Sequence, residues 1–286
     1  TRSLDLPEGV CLRAFLRLSA TITLVVFEWL NMSLFSCPAR EAVTDRIVLD
    51  NPCLISDLHL SAEESFHAEC FERFLNTKAK DYRELVILGD FFDYWVGDDA
   101  IGTVQHIVDA LKTYAKTHKV FVMHGNRDFM LGNRFAQTCG ATLLADPCVA
   151  TVGNETVLLS HGDIWCTHDP DYQTVRNRVR SFWWQWLILR LPLTKRLSIA
   201  RNAREKSKKK KTQKEAYKMD VAQEAIDSAI RSFSASSIIH GHTHKPGTYS
   251  LPDSDCVRIV LPDWRFGENS HLEAGFLARD NGAWSL

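Results

Sequence analysis

The chain has 286 residues, 45% of them apolar and 24% charged, the balance of a soluble globular protein long enough to bury a full core, and one domain with an insertion is the expectation. A net charge of -1 argues against a general nucleic-acid binder, leaving only locally basic patches for anionic partners. The 8 cysteines are scattered without a C-x-x-C pair, so reduced thiols in the cytoplasm are expected rather than a disulfide or thiolate-metal framework.

Residues 1–50 carry little fold signal. Gly9 to Leu30 is apolar, but Arg13, Arg17 and Glu28 leave only the 10 residues from Leu18 to Phe27 free of charge. A bilayer span needs about 20. An upstream extension, with Met32 as a truer start, is expected here; a signal segment ending near Ser36 and Cys37 is the alternative.

From Cys53 onward a single design recurs, an apolar run that ends in polar groups. Cys53-Leu54-Ile55-Ser56 delivers Asp57 and His59. Leu85-Val86-Ile87-Leu88, uniformly apolar and so read as a strand buried on both faces, turns at Gly89 and delivers Asp90. Val120 to Met123 delivers His124, Asn126 and Arg127; Val157 to Ser160 delivers His161 and Asp163; Ser237 to Ile239 delivers His240, His242 and His244. Helical spacing between Glu63 and Lys80, and again from Ile107 to Thr117, supplies the crossovers of a parallel sheet with right-handed connections. Ala141 to Val152 and Val157 to Leu159 read as strands about a Gly153-Asn154 turn, and Gly132 to Ala136 as a short helical piece. Cys166 to Arg231 breaks the rhythm with helical sequence, first apolar on nearly all sides (Phe182 to Leu191), then strongly basic (Arg204 to Lys214). After Pro246-Gly247, the runs Val257 to Leu261, Gly275 to Ala278 and Ala283-Trp284 alternate like antiparallel strands, implying a second sheet packed on the first.

Strand ends carrying carboxylates, an amide and imidazoles collect at one edge of such a sheet, which is where open α/β folds bind ligands. The set has oxygen and nitrogen donors and no thiolate, which suits divalent Mn, Fe, Co, Zn or Mg. Seven ligands exceed what one catalytic ion needs, so two ions roughly 3.5 to 4 Å apart and sharing Asp90 are expected. Two dications against Asp57 and Asp90 leave a surplus of positive charge, hence an anionic substrate such as a phosphate ester or anhydride.

The series Asp57-x-His59, Gly89-Asp90-x-x-Asp93, Gly125-Asn126-Arg127-Asp128, His161-Gly162-Asp163 and Gly241-His242-Thr243-His244 resembles the calcineurin-like metallophosphoesterases in order and residue type. Arg127 stands where most of that superfamily carries histidine. With Asp93 to Asp99, Cys166-Thr167-His168-Asp169 and Met219-Asp220-Val221, the chain is similar, over about residues 53–262, to the branch that works on UDP-linked diacyl glucosamine lipids in lipid A biosynthesis.

That resemblance implies an α/β fold of two packed mixed sheets flanked by helices, spanning 51–286, with a helical cap insertion at about 166–231. It implies two divalent metal ions, by preference Mn2+, one held by Asp57, His59, Asp90 and His244 and the other by Asp90, Asn126, His161 and His242. Catalysis would rest on Asp90, Asn126, Arg127 and His161. Substrate contacts would come from Asn126, Arg127, Asp169, Tyr172, Ser207, Lys211, Lys214 and His242, with Lys211 replacing a usual asparagine. His124, His240, Asp128 and Asp163 are expected to orient the ligands, while Trp183, Trp184 and Trp186 would be either core under the insertion or an acyl slot or interfacial anchor. The partners implied are the UDP-linked lipid and the cytoplasmic face of the inner membrane, held peripherally, with no nucleic acid. A general phosphodiesterase or nuclease on the same metal core, which would not need the apolar cap, and a scaffold that has lost turnover, which would not need complete ligand blocks, are the alternatives.

Overall fold

The computed structural model describes residues 45–211, 220–252, 254–266, 272–280 and 282–286. In the first of two six-stranded sheets, β2 (Pro52–Ile55), β3 (Glu84–Leu88), β4 (Lys119–Met123) and β5 (Thr142–Leu144) run parallel and side by side. Beyond β2 the sheet continues antiparallel with β13 (Leu277–Asp280) and β14 (Ala283–Ser285). The second sheet has the order β1 (Arg46–Leu49), β6 (Cys148–Val152), β7 (Glu155–Ser160), β8 (Ser237–His240), β10 (Val257–Val260) and β9 (Gly247–Ser250). A short ribbon joins β11 (Arg265–Phe266) to β12 (Leu272–Glu273).

Side-chain alternation on β3 shows how the layers form. Leu85 and Ile87 point to one face, where they meet Phe71 and Leu75 of α1 (Ser65–Thr77), Val108 and Leu111 of α2 (Gln105–Tyr114) and Phe135 of α3 (Asn133–Cys139). Val86 and Leu88 point to the other, where they meet Leu159 and Ile239 of the second sheet. A strand covered on both sides has no use for polar side chains, which is why its sequence reads as an unbroken apolar run. The outer face of the second sheet, through Leu158 and Ile238, packs on Ile226 and Ile230 of α7 (Gln223–Phe233). Helices, sheet, sheet and helix thus make four layers, and each fully buried large side chain contributes about 1.5–3 kcal/mol.

Three boundaries differ from the expectation. The fold starts ahead of residue 51, because Arg46 to Leu49 pairs in parallel with Val149 to Val152 as β1. Ala141 to Val152 is two strands in different sheets, since the chain crosses at Ala145-Asp146-Pro147, where proline has no N–H for a ladder and Ala145 N donates to Asp45 Oδ2 at 2.7 Å. The C-terminal runs divide as well, β10 joining the second sheet parallel to β8 and β13 with β14 extending the first. Within the expected insertion lie the helices α4 (Pro170–Val179), α5 (Phe182–Leu189) and α6 (Leu193–Lys211), whereas α7 is the buried crossover between parallel β7 and β8. Among the described residues no helix is long and apolar enough to cross a membrane.

Candidate active site and metal centre

Five strand ends from the two sheets meet at one edge. β2 presents Asp57 and His59, β3 presents Asp90, β4 presents Asn126 and Arg127, β7 presents His161, and β8 presents His242 and His244. Backbone bonds carry the pairing past the strands: Asp57 N donates to Gly89 O at 3.1 Å and His59 N to Asp90 O at 2.9 Å. To turn so sharply, Asp57, His59, Asp90, His242 and His244 adopt φ of 55°, 53°, 50°, 66° and 54°, the left-handed region that non-glycine residues avoid. Glycines make the remaining room. A Cβ on Gly125 would lie 2.1 Å from Asp90 Oδ1, and one on Gly241 would lie 2.3 Å from Asp57 Oδ2.

Ligand atoms fall into two overlapping clusters, Asp57 with His59 and His244, and Asp57 with Asp90 and His161. Asp90 spans both sides, with Oδ2 3.8 Å from His59 Nδ1 and Oδ1 3.8 Å from His161 Nε2. Asn126 Oδ1 lies 2.9 Å from His161 Nε2 and 2.8 Å from His242 Nδ1. The residues fit divalent ions on a specific ground: buried Asp57 Oδ1 and both ring nitrogens of His59 have no hydrogen-bond partner. His244 Nε2 is 3.5 Å from that Asp57 oxygen, which makes an electrostatic contact at the limit of a hydrogen bond. Unpaired buried groups of this kind cost about 1–3 kcal/mol each unless something coordinates them.

Electrostatics agrees. Burial opposes charge on His161, but Asp90, Asp57 and Asp163 outweigh it and push the imidazole up to about 9. The carboxylate field that would hold a proton there equally favours a cation at the same imidazole. Burial also raises the Asp57 carboxyl, yet His244, His161 and His59 more than offset it and hold Asp57 well below the usual range. His242 goes the other way, pushed down to about 3 by burial and then by His161, and so is held neutral as a metal ligand must be.

Outer groups fix the tautomers. His161 Nδ1 lies 2.9 Å from Leu88 O, and His244 Nδ1 lies 2.9 Å from Asp263 Oδ2, which turns each Nε2 toward the site. Asp57 Oδ2 accepts from Ser56 Oγ at 2.7 Å and from His242 N at 2.9 Å. Asp128 accepts from Gly125 N at 2.7 Å and Phe91 N at 2.8 Å, tying two ligand loops together.

Arg127 donates through Nη1 to Asp93 Oδ1 at 2.8 Å and lies 3.4 Å from Asp90 Oδ2 through Nε, with its charge at the rim of the cluster. Further along the chain, Asp169 caps α4 by accepting from Tyr172 N at 3.1 Å. The Tyr172 ring lies 6.1 Å from that of His242, and its phenol donates to Asp163 Oδ2 at 2.7 Å. Ser207 lies exposed on α6. Lys211 ends that helix, and its side chain and all of Lys214 lie outside the described residues.

Sequence reasoning missed Asp263, although it follows β10 as the other site acids follow their strands. It also missed Asp146, Arg176 and Arg180, whose meeting needs the tertiary fold. Trp183 and Trp186 are 65% and 40% exposed, so neither is core, and Phe182 and Leu187 beside them are 70% and 53% exposed. Trp184 turns inward toward Phe129, ring centres 6.1 Å apart. Between α6 and the core lies a cavity of about 110 Å³, lined by Leu60, Phe92, Asp93, Trp95, Val96 and Leu197 among others.

Two facing sheets with candidate metal-ligating side chains at their strand ends have the architecture of a phosphoesterase, and residues 53–246 match the model of the calcineurin-like phosphoesterases, the family to which this chain belongs. Relatives narrow the comparison. A UDP-2,3-diacylglucosamine hydrolase of Aeromonas salmonicida (strain A449) is 43% identical over 214 residues, 73% of this chain and 84% of the relative. Proteins of the same name from Chromohalobacter salexigens, 42% identical over 218 residues (75% and 89%), and from Ralstonia nicotianae, 39% identical over 258 residues (86% and 95%), extend the likeness across most of both chains.

Proposed function

We propose that this protein hydrolyses the diphosphate of UDP-2,3-diacylglucosamine, giving UMP and 2,3-diacylglucosamine 1-phosphate, within lipid A biosynthesis. The observation that carries the reading is the likeness to proteins of that name over most of both chains, in a chain with two candidate clusters of metal-ligating side chains. Asp57, His59, Asp90 and His244 would hold one divalent ion and Asp90, Asn126, His161 and His242 the other, most readily Mn2+. When bound, such ions supply Lewis-acid stabilisation of phosphoryl oxygens and activation of water for in-line attack.

The chain's own residues do the rest. Water adds to one phosphorus, the P–O bond to the bridging oxygen breaks, and charge grows on the phosphoryl oxygens. Arg127, planar and permanently charged, would donate to them, with Asp93 holding its guanidinium in orientation. His242, held neutral, and Tyr172 beside it line the approach from the cap, with Asp169, Ser207, Lys211 and Lys214 as further contacts for the nucleotide and diphosphate. Trp95, Val96 and Leu197 offer an apolar seat for an acyl chain. The exposed Phe182, Trp183 and Leu187 suit the cytoplasmic face of the inner membrane, where the lipid substrate resides. In this reading one metallophosphoesterase domain begins near residue 45, is preceded by an extension and carries a cap from about 166 to the start of α7. Incubating the purified chain with Mn2+ and UDP-2,3-diacylglucosamine should release UMP, and chelation should abolish it; equal cleavage of deacylated UDP-glucosamine would instead make it a general phosphodiesterase.

A further inference from the structure

Tyr172, Arg176 and Arg180 stand four residues apart on α4 and its closing residue, and so share one face. All three converge on Asp163, fully buried two residues beyond His161: the Tyr172 phenol at 2.7 Å, Arg176 Nε at 2.8 Å and Arg180 Nη2 at 3.6 Å. Arg180 reaches further than its neighbours. Its Nη2 donates to Gly125 O at 2.8 Å, and its guanidinium carbon lies 5.9 Å from the centre of the Phe129 ring.

Those two contacts bracket Asn126 and Arg127. The inner side of the same loop cannot yield, because Gly125 lies against the Asp90 carboxylate and Arg127 N donates to Asp90 Oδ1 at 2.9 Å. A planar fork with several donors suits the outer side, since one guanidinium can bond a carbonyl while staying beside a carboxylate. We propose that Arg180 is a positioning residue: it braces the Gly125–Phe129 loop from the cap, so that Asn126 Oδ1 meets the His161 and His242 imidazoles while Arg127 faces the reacting phosphoryl group. Turnover therefore depends on how α4 is seated, and the cap shapes the metal site as well as covering it. The lipid half of the test rests on the hydrolase reading above; the loop half does not.

The experiment uses the full chain with Mn2+ and two substrates, UDP-2,3-diacylglucosamine and bis(p-nitrophenyl) phosphate, a small diester with neither nucleotide nor acyl chain. Arg180→Met keeps an apolar stem and removes every donor; Arg180→Lys returns one donor and the charge. The methionine variant should lose about 10- to 100-fold in kcat on both substrates, the range for groups that orient metal ligands, with KM for the small diester nearly unchanged. Bound Mn per chain should fall with it, and lysine should recover part of both losses. Arg180→Gln, uncharged and shorter, gives a second comparison independent of how the methionine variant folds, and should sit with methionine. A loss confined to the lipid substrate, no loss on either, or a shared loss that lysine leaves untouched would overturn the proposal. If the wild-type chain cleaves the small diester and leaves the UDP lipid intact, the substrate reading fails, while Arg180 is still judged on the diester.

Discussion

Asp163→Asn isolates the anchor between cap and site. Asp163 Oδ2 receives Arg176 Nε at 2.8 Å and the Tyr172 phenol at 2.7 Å with no exposure to solvent. Burial raises this carboxyl, but His161, Arg176 and Arg180 outweigh it and hold it well below the ordinary carboxylate range. Hydrogen bonds to a charged group contribute about 1.5–3 kcal/mol, and removing one partner of a buried pair costs about 3–5 kcal/mol. Asparagine keeps one acceptor, and Asp146 remains 3.6 Å from Arg176, so the lower part of that span, about 2–3 kcal/mol, is expected. For a domain of this size the melting temperature should fall by roughly 5–10 °C. The depressed pKa fixes the pH dependence: the aspartate's contribution is present above its unfolded value of about 4 and is lost as pH falls through the lower folded value. Melting curves by circular dichroism at fixed Mn2+ should therefore show the gap between parent and variant at pH 7 and a smaller one below pH ~4. Equal melting at pH 7, or a gap that stays constant into acid, would refute the reasoning.

Asp90→Ala should abolish turnover and lower the Mn content at both positions, since the carboxylate lies between His59 and His161, 3.8 Å from each; near-normal activity with two ions per chain would contradict the shared role. Arg127→Lys should lower kcat/KM about tenfold or more, because a point charge cannot reproduce an oriented planar donor; full activity would mean that charge alone suffices. Replacing Phe182, Trp183 and Leu187 together by serine should release the protein from anionic phospholipid vesicles in a sedimentation assay and leave hydrolysis of a small soluble diester unchanged. Removing both acyl chains from the substrate should cost far more in kcat/KM than exchanging the nucleobase, at about 0.8 kcal/mol for each methylene buried.

The candidate site was legible in the sequence because parallel strands bring the groups at their ends to one edge, and Asp57, Asp90, Asn126, His161 and His242 each follow such a strand by a residue or a few. Arg176 and Arg180 were not legible, since they lie on a helix whose sequence says only that it is polar, and their targets Asp163 and Gly125 come from other strands. The fold was read more coarsely than the candidate site. The stretch from Ala141 to Val152 does not reveal that the chain changes sheets, because strand periodicity is blind to which sheet a strand joins. Pro147 was the one local sign. The expected insertion was read as a mostly helical stretch, α7 included, but only the packing of α7 on Leu158 and Ile238 shows that it belongs with the sheet.

The left-handed backbone at Asp57, His59, Asp90, His242 and His244 sets thermal tolerance against chemistry. Each such residue holds a conformation that costs of order 1–2 kcal/mol, and glycine would adopt it nearly freely. A search for more heat-resistant variants should thus be drawn to these very positions, and each glycine gained there would remove a side chain the centre needs. The ends of these strands are a reservoir of stability that the fold has had to leave untapped, and the melting temperature of an inactive glycine variant would reveal how deep it is.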